Sequence, residues 1–321
     1  MTDETTSGNL SGLMSPIVDA IDAAWAARPT YENNTLSFGQ LGNDCDRQLW
    51  YGFRWANPPE AFSGRMRRLF ETGNIAERAI VADLQAAGIK VSPIDPATGR
   101  QWAVLLYGGH IKGYADGKAT NVPTAPVVEH LLEIKTHNDK SFKDLKKNGV
   151  AKAKPAHAVQ MQALMHGLGL TRALYVAKNK NDDELYAERL HFDATHAISI
   201  VARAERIVNA DDPPPKLHDD PESKAAFQCK FCPARSVCHE RAMPRQNCRT
   251  CMHSTARPEG GWHCRRWDKS LTPDEQRAGC VKHLFLPGLV PGEQIDADET
   301  AETVTYRMAD GSEWIDGGRA A

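Results

Sequence analysis

No stretch of this 321-residue chain approaches the roughly 20 consecutive apolar residues needed to cross a bilayer as a helix. The mean hydropathy is -0.49, so a membrane-spanning helix is not expected. The first residues, MTDETTSGNLSGLMS, lack the basic start and continuous apolar segment of a secretory signal, which predicts a cytoplasmic address. Positive charge is also lacking. Against 41 acidic residues stand 39 Lys and Arg, a formal net charge of -2, which excludes a globally basic nucleic-acid binder. Contact with a polyanion must therefore come from local patches. No internal repeat occurs at solenoid periods.

What is present is enough for a substantial core: 41% of residues are hydrophobic and 25% charged, which suits one main domain with an appendage. A helix is expected over Ser15 to Ala27. Another is expected over Met66 to Ala87, where Leu69, Gly73, Ile80 and Leu84 share a stripe and Gly88 is the stop. Short apolar runs punctuated by turns then read as strands: Trp102 to Tyr107, His110 to Asp116, Val127 to Thr136, Arg172 to Ala177 and Leu185 to Phe192. Helices are expected over His157 to Leu168 and His196 to Val208. This order predicts an α/β fold with a mixed central sheet flanked by helices and a Cys-rich C-terminal appendage. The run DDPPPKL from Asp211 breaks the chain. Residues from Pro291 onward, acidic and then Gly-rich, read as a tail or peripheral strand.

Three acids and a lysine stand out. Glu133 and Lys135 in LEIKT lie two apart on a strand, so they share a face while Leu132 and Ile134 share the other. Burying such charges costs several kcal/mol per ion, of order ~3 or more, unless they are paired or metal-bound. Asp116, in GYADG, precedes them by about one hairpin, and Glu77 falls on the apolar stripe of its helix. Hard oxygen ligands of this kind suit Mg²⁺, which can both activate water and neutralise a phosphate in phosphodiester hydrolysis. The bland alternative is a surface Glu–Lys pair, a turn aspartate and a helix-edge glutamate.

The 8 cysteines are better candidates for metal ligation than for disulfides in a reducing compartment. Cys229, Cys232 and Cys238 form C-x2-C-x5-C, three thiolates short of a fourth. Cys248, Cys251, Cys264 and Cys280 form C-x2-C-x12-C-x15-C, a spacing compatible with a small zinc knuckle. His253, His263 and His283 could each replace one thiolate there. Arg245, Arg249, Arg257, Arg265 and Arg266, interleaved with Trp262 and Trp267, suit either backbone contact and base stacking or a solvated basic face. A further basic segment, Lys140 to Lys154, offers Lys143, Lys146, Lys147, Lys152 and Lys154 for DNA phosphates. Its alternative is a solvated loop.

A G-x-x-x-E helix (Gly73 to Glu77), a G-x-x-D strand (Gly113 to Asp116), E-x-K (Glu133 to Lys135) and a helix with Gln160 occur in the order of the PD-(D/E)XK nuclease core. The helix KPAHAVQMQALMHGLGL resembles the Q-x-x-x-Y helix of RecB-like and CRISPR-associated exonucleases, with Leu164 in place of Tyr and Ala115 in place of the motif's Pro. The resemblance covers roughly Phe38 to Arg241 and implies a restriction-endonuclease-like core. It implies that Glu77, Asp116, Glu133 and the carbonyl of Ile134 bind Mg²⁺ or Mn²⁺, that Lys135 positions and helps deprotonate the attacking water, and that Gln160 holds the DNA backbone or a metal-bound water.

The segment FGQLGNDCDRQLWYGFR resembles the part of the same families in which an N-terminal Cys joins a C-terminal triplet on a 4Fe–4S cluster, with Cys45 completing Cys229, Cys232 and Cys238. Four thiolates also fit structural zinc; the split arrangement favours iron–sulfur. The organisation expected is a leading helical segment (1–37), a nuclease domain closed by the cluster (38–241), a four-cysteine zinc module (242–290) and a tail (291–321). The resemblance implies a DNA exonuclease of phage recombination, repair or host-DNA degradation, with DNA and a single-strand annealing or recombinase protein as partners. An endonuclease on the same core, or a non-catalytic iron–sulfur and zinc protein that binds DNA, are the alternatives.

Overall fold

The computed structural model of the protein describes residues 11–30, 32–59, 61–123 and 125–318, and for residues 11–15 the backbone alone. The chain opens with α1 (Ser11–Ala26), β1 (Leu36–Ser37), α2 (Asp46–Phe53) and α3 (Gly64–Ala86). There follow β2 (Lys90–Ser92), the short hairpin β3 (Ile94–Asp95) and β4 (Arg100–Gln101), then β5 (Ala103–Leu106), β6 (Ile111–Tyr114), β7 (Gly117–Thr120) and β8 (His130–His137). Next come α4 (Asp139–Ala153), α5 (Pro155–Leu168), β9 (Arg172–Asn179), β10 (Leu185–His191), α6 (Ala194–Asn209) and α7 (Arg235–His239). The chain ends with β11 (Ser254–Ala256), β12 (Trp262–Cys264), β13 (Lys269–Leu271), α8 (Pro273–Ala278), β14 (Glu293–Asp298), β15 (Thr303–Arg307) and β16 (Glu313–Gly317).

The fold is mixed α/β. Its central sheet has the order β10-β9-β8-β7-β2, antiparallel except for the parallel pair β8 and β9. A parallel pair needs a crossover, and α4 with α5 supplies it. Local chemistry sets the helix limits. Asn138 and Asp193 cap α4 and α6 by accepting from the Ser141 and His196 N–H groups. Gly149, at φ 71°, breaks α4 near its end, and Pro155 begins α5 where its missing N–H is no loss. Gly88, at φ 84°, follows the end of α3.

Strand alternation divides the core. Leu132, Ile134, Leu174 and Val176 meet Ile80 of α3 on one face of the sheet. Leu131, Ala173, Tyr175 and Ala177 meet α4 and α5 on the other, in a cluster that also contains Trp50, Phe53, Trp262, Leu271 and Leu289. The cysteine-rich stretch thus shares its hydrophobic core with the sheet.

Several expectations are corrected. The α3 stripe is covered unevenly: Ile80 is buried against Leu132, Ile134, Leu174 and Val176, whereas Leu69 is 45% exposed. The strand expected from Val127 starts at His130, and Val127 is exposed. The lysine-rich segment is the helix α4, not a loop. The tail from 291 holds an antiparallel sheet, β14-β15-β16, whose Val304 and Tyr306 pack on Leu284, Phe285 and Val290. Helix α2 had no apolar period long enough to announce it; Cys45 caps it, its Sγ accepting from the Gln48 N–H.

Candidate active site

One strand, the connection from β6 to β7 and two helices bring the sequence candidates together. Glu133 is interior because β8 is a middle strand, hydrogen-bonded to β7 and β9, and its side chain is wholly buried. Lys135, two residues on, forms an ion pair with Glu133 Oε1. Apart from that pair, Oε1 finds no hydrogen-bond donor in good geometry. Asp116 stands where the chain passes from β6 to β7, and its Oδ2 accepts from the Ile134 N–H at 2.7 Å. Gln160, on α5, approaches the other Glu133 oxygen, Nε2 to Oε2, at 3.5 Å. Helix α5 is held close by Gly42: a Cβ there would fall 2.4 Å from the Ala156 Cα. Glu77, half-buried on α3, acts electrostatically on Asp116, Glu133 and Lys135.

Burial disfavours the charge on each acid, and for Glu133 and Glu77 a neighbouring acid adds to it. Burial, then the neighbouring Asp116 and Glu77, push the Glu133 carboxyl up to about 7 although Lys135 opposes the shift. Burial raises Asp116 against the pull of Lys135 and the Ile134 N–H, and burial followed by Asp116 raises Glu77. Burial alone would lower Lys135, yet Glu133 and Asp116 outweigh it and hold the ammonium above its ordinary range. Three carboxylates whose ionisation is suppressed by burial, and for Glu133 and Glu77 also by a neighbouring acid, are hard oxygen donors of the chemical kind that Mg²⁺ or Mn²⁺ takes, although among the described residues they do not stand at distances that would hold an ion directly.

A second polar chain continues along the same face. His137 follows Lys135 by two residues, and its Nε2 lies 2.9 Å from the Tyr175 hydroxyl, which also lies 2.9 Å from His157 Nδ1. His137 Nδ1 meets Ser141 Oγ at 3.0 Å. Burial, then nearby lysines, lowers His137 to about 4 and His157 to about 3, so both rings are neutral near pH 7. Sequence reasoning missed these residues. The signals were there: Glu133, Lys135 and His137 alternate on one strand, and His157 precedes Gln160 by three positions on one helix.

The cysteines fall into two groups in space as in sequence. Cys45, Cys229, Cys232 and Cys238 line one small cavity, and Cys248, Cys251, Cys264 and Cys280 line another of about 160 Å³ with His253 and His283. Burial and the neighbouring thiols push Cys232 up to about 11 and Cys248 up to about 12. Four sulfur donors in each group fit zinc or iron–sulfur chemistry. Among the described residues, however, no group of three or more His, Cys, Asp or Glu side chains stands at distances that would hold a metal ion directly. That applies to the carboxylates as well.

Other expected contacts are redirected. Lys143 pairs with Asp139, Lys146 with Glu184 and Lys154 with Asp144, which leaves Lys140, Lys147 and Lys152 as the lysines of the segment without an ion pair among the described residues. Arg249 is 2% exposed, stacks 3.8 Å over Trp55 and donates to the Phe53 and Asn34 carbonyls. Trp262 is buried beneath it, Arg245 pairs with Glu32 and Arg266 with Glu302. Arg249, Trp262 and Arg245 tie the cysteine-rich stretch to the segments around α2, Arg266 ties it to the C-terminal sheet, and Arg249 and Trp262 are not presented for base stacking. Trp267 remains exposed.

No family model matches the chain, and no curated protein matches it. Among solved structures it is similar to SSO0001, with 17% identity, TM-score 0.40, and coverage of 70% of this chain and 96% of that one. It is also similar to an alkaline exonuclease, LHK-Exo, from Laribacter hongkongensis, with 16% identity, TM-score 0.38, and coverage of 59% and 90%. The same exonuclease in complex with dAMP gives 13% identity and TM-score 0.36 over the same shares. No helix among the described residues is long and apolar enough to cross a membrane.

Proposed function

We propose that the protein is a divalent-metal-dependent deoxyribonuclease, acting as an exonuclease, with Glu77, Asp116, Glu133 and the Ile134 carbonyl as the ligands of Mg²⁺ or Mn²⁺. The observation that carries this reading is the wholly buried Glu133 carboxylate, held in a middle strand beside Lys135 and Asp116 and pushed up to about 7. A fold that keeps a carboxylate under such strain implies a use for it. The bound metal would neutralise the phosphate and acidify its water. Asp116 and Glu133 fix the position of the reaction through strands whose backbones are hydrogen-bonded to each other. Lys135 is protonated while the acids around it are charged; neutralising them lowers it and frees its amine to take a proton from water. Gln160 holds the second Glu133 oxygen in place.

The chain is read as a nuclease unit over 38–241 that follows a leading segment (1–37). Cys45, Cys229, Cys232 and Cys238 would bind a 4Fe–4S cluster tying α2 to the α7 region. Cys248, Cys251, Cys264 and Cys280 would bind zinc within 242–290. Both roles are structural, since each group sits where separate chain segments meet. DNA is the substrate proposed, with a recombinase or annealing protein as partner. The test is digestion of end-labelled linear DNA beside covalently closed circles with Mg²⁺, Mn²⁺ or no metal. Loss of the linear form alone supports the exonuclease, cutting of circles replaces it with an endonuclease, and cleavage of neither under any metal overturns the reading.

A further inference from the structure

Beside the Arg47 and Tyr51 side of α2 lies a cleft of about 480 Å³ in which four cations, Arg47, Lys216, Arg241 and Arg307, meet a single lining acid, Glu293. They come from four separate pieces of chain: α2, the proline-rich linker, the end of α7 and β15. In a chain of net charge -2, such convergence is local and not a by-product of composition.

The cleft is held in shape. Arg47 donates to the Pro214 carbonyl at 2.8 Å and to the Tyr51 hydroxyl at 3.0 Å, which ties the linker to α2. Pro213, Pro214 and Pro215 stiffen the segment that delivers Lys216. Arg241 follows α7 with a left-handed backbone, φ 56°, at a position where glycine is the usual solution. An uncommon backbone that presents an arginine is the kind of outlier from which function is inferred. Glu293 is engaged by Arg307 across β14 and β15 at 3.3 Å. Asp211 turns to Arg54 at 3.8 Å, and Asp212 comes up beside Gly288 without lining the cleft. Lys216 and Arg241 form no ion pair among the described residues; Lys216, with Arg47, also faces the Cys238 thiol in the wall of the cleft, whereas Arg241 is not among the charges that act on that thiol.

We propose that this cleft binds backbone phosphates of DNA away from the cleavage site, and that the C-terminal sheet exists in part to complete it. The inference rests on the nuclease reading for the identity of the polyanion. Arginine and lysine are groups that contact phosphates without reading bases, and cations delivered from four separate pieces of chain around an open cleft suit the successive phosphates of a strand. Binding should therefore be indifferent to sequence and steep in salt.

The experiment measures anisotropy of a labelled oligonucleotide, single-stranded and duplex, over a series of salt concentrations with Mg²⁺. The full chain is used in the Glu133→Gln background, so that cleavage is slowed, and the oligonucleotide is checked for integrity after each reading. Adding Lys216→Gln and Arg241→Gln should weaken binding about tenfold or more and flatten the log K against log salt slope by about 1.4 to 1.8. Lys216→Arg should restore its share. Thermal midpoints are compared first; if the double variant unfolds early, Lys216→Gln alone, on the exposed linker, must show about half the change in slope. Unchanged affinity and slope overturn the proposal. So does tight binding of inorganic phosphate or a mononucleotide, lost in the variants, while oligonucleotide binding is unaltered. Cleavage by the unmodified protein is scored separately: if it cuts nothing yet the variants lose DNA, the nuclease reading fails and the cleft stands.

Discussion

Asp116 Oδ2 accepts the Ile134 N–H at 2.7 Å, so one carboxylate both belongs to the site and closes the backbone of the strand that carries Glu133 and Lys135. The two roles separate by substitution. Asp116→Asn keeps an acceptor for that N–H and should fold like the natural protein. Asp116→Ala leaves a buried donor unpaired and should lose about 1–3 kcal/mol. Both should lose metal-dependent cleavage. Urea unfolding that ranks Asn with Ala would refute the bond's structural part.

Glu133→Gln should be as stable as the natural protein or about 1 kcal/mol more stable at neutral pH. The folded state raises this carboxyl from 4.5 to about 7, so its stability contribution is lost as pH rises through that window, and the neutral amide avoids the loss. Lys135 keeps Asp116 beside it. A thermal midpoint lowered by several degrees would mean that the Glu133–Lys135 pair holds the fold.

His137 works in the opposite sense. Its folded value is lowered from 6.5 to about 4, so the unfolded chain binds more protons between those limits and stability rises with pH across them. Comparing the natural protein with His137→Gln cancels the contribution of Glu133, present in both. The advantage of the natural protein over the variant should grow from pH 4 to pH 6.5. A difference that does not change with pH would show that the ring is not held neutral.

The two cysteine groups predict different losses. Protein purified without oxygen should be brown with broad visible absorption, and Cys45→Ser should lose that colour while keeping zinc. Cys264→Ser should lose about one zinc and keep the colour. Because Trp262 and Leu271 share the main core, zinc loss should lower the stability of the whole chain and not merely release a module. Colourless protein with zinc in both groups would remove the iron–sulfur assignment.

The sequence carried the sheet and its acids because strands and helices there are long enough for alternation and helical period to register: β8 and α5 show it in Glu133, Lys135 and Gln160. It carried less where contacts are made by few residues from distant segments. Arg249 looks like a surface arginine beside aromatic residues, and only the fold shows it enclosed by Phe53, Trp55 and Trp262. Leu69 fits the α3 stripe by period but is 45% exposed, because period alone does not say which turns of a helix find a partner. The C-terminal strands, short and rich in acids, give no clean alternation, and their core rests on Val304 and Tyr306 meeting Phe285. Tyr175 reads as an ordinary β-strand aromatic until His137 and His157 are seen on its hydroxyl.

The most direct test of the account compares the natural protein with Glu133→Gln on end-labelled linear DNA in Mg²⁺, with binding measured on the same samples. The account predicts that the natural protein degrades the DNA, that Glu133→Gln is slower by at least about 100-fold, as expected when a metal site is impaired, and that both bind the DNA alike. Equal degradation by the two proteins would contradict the assignment of the buried carboxylate as the centre of the chemistry.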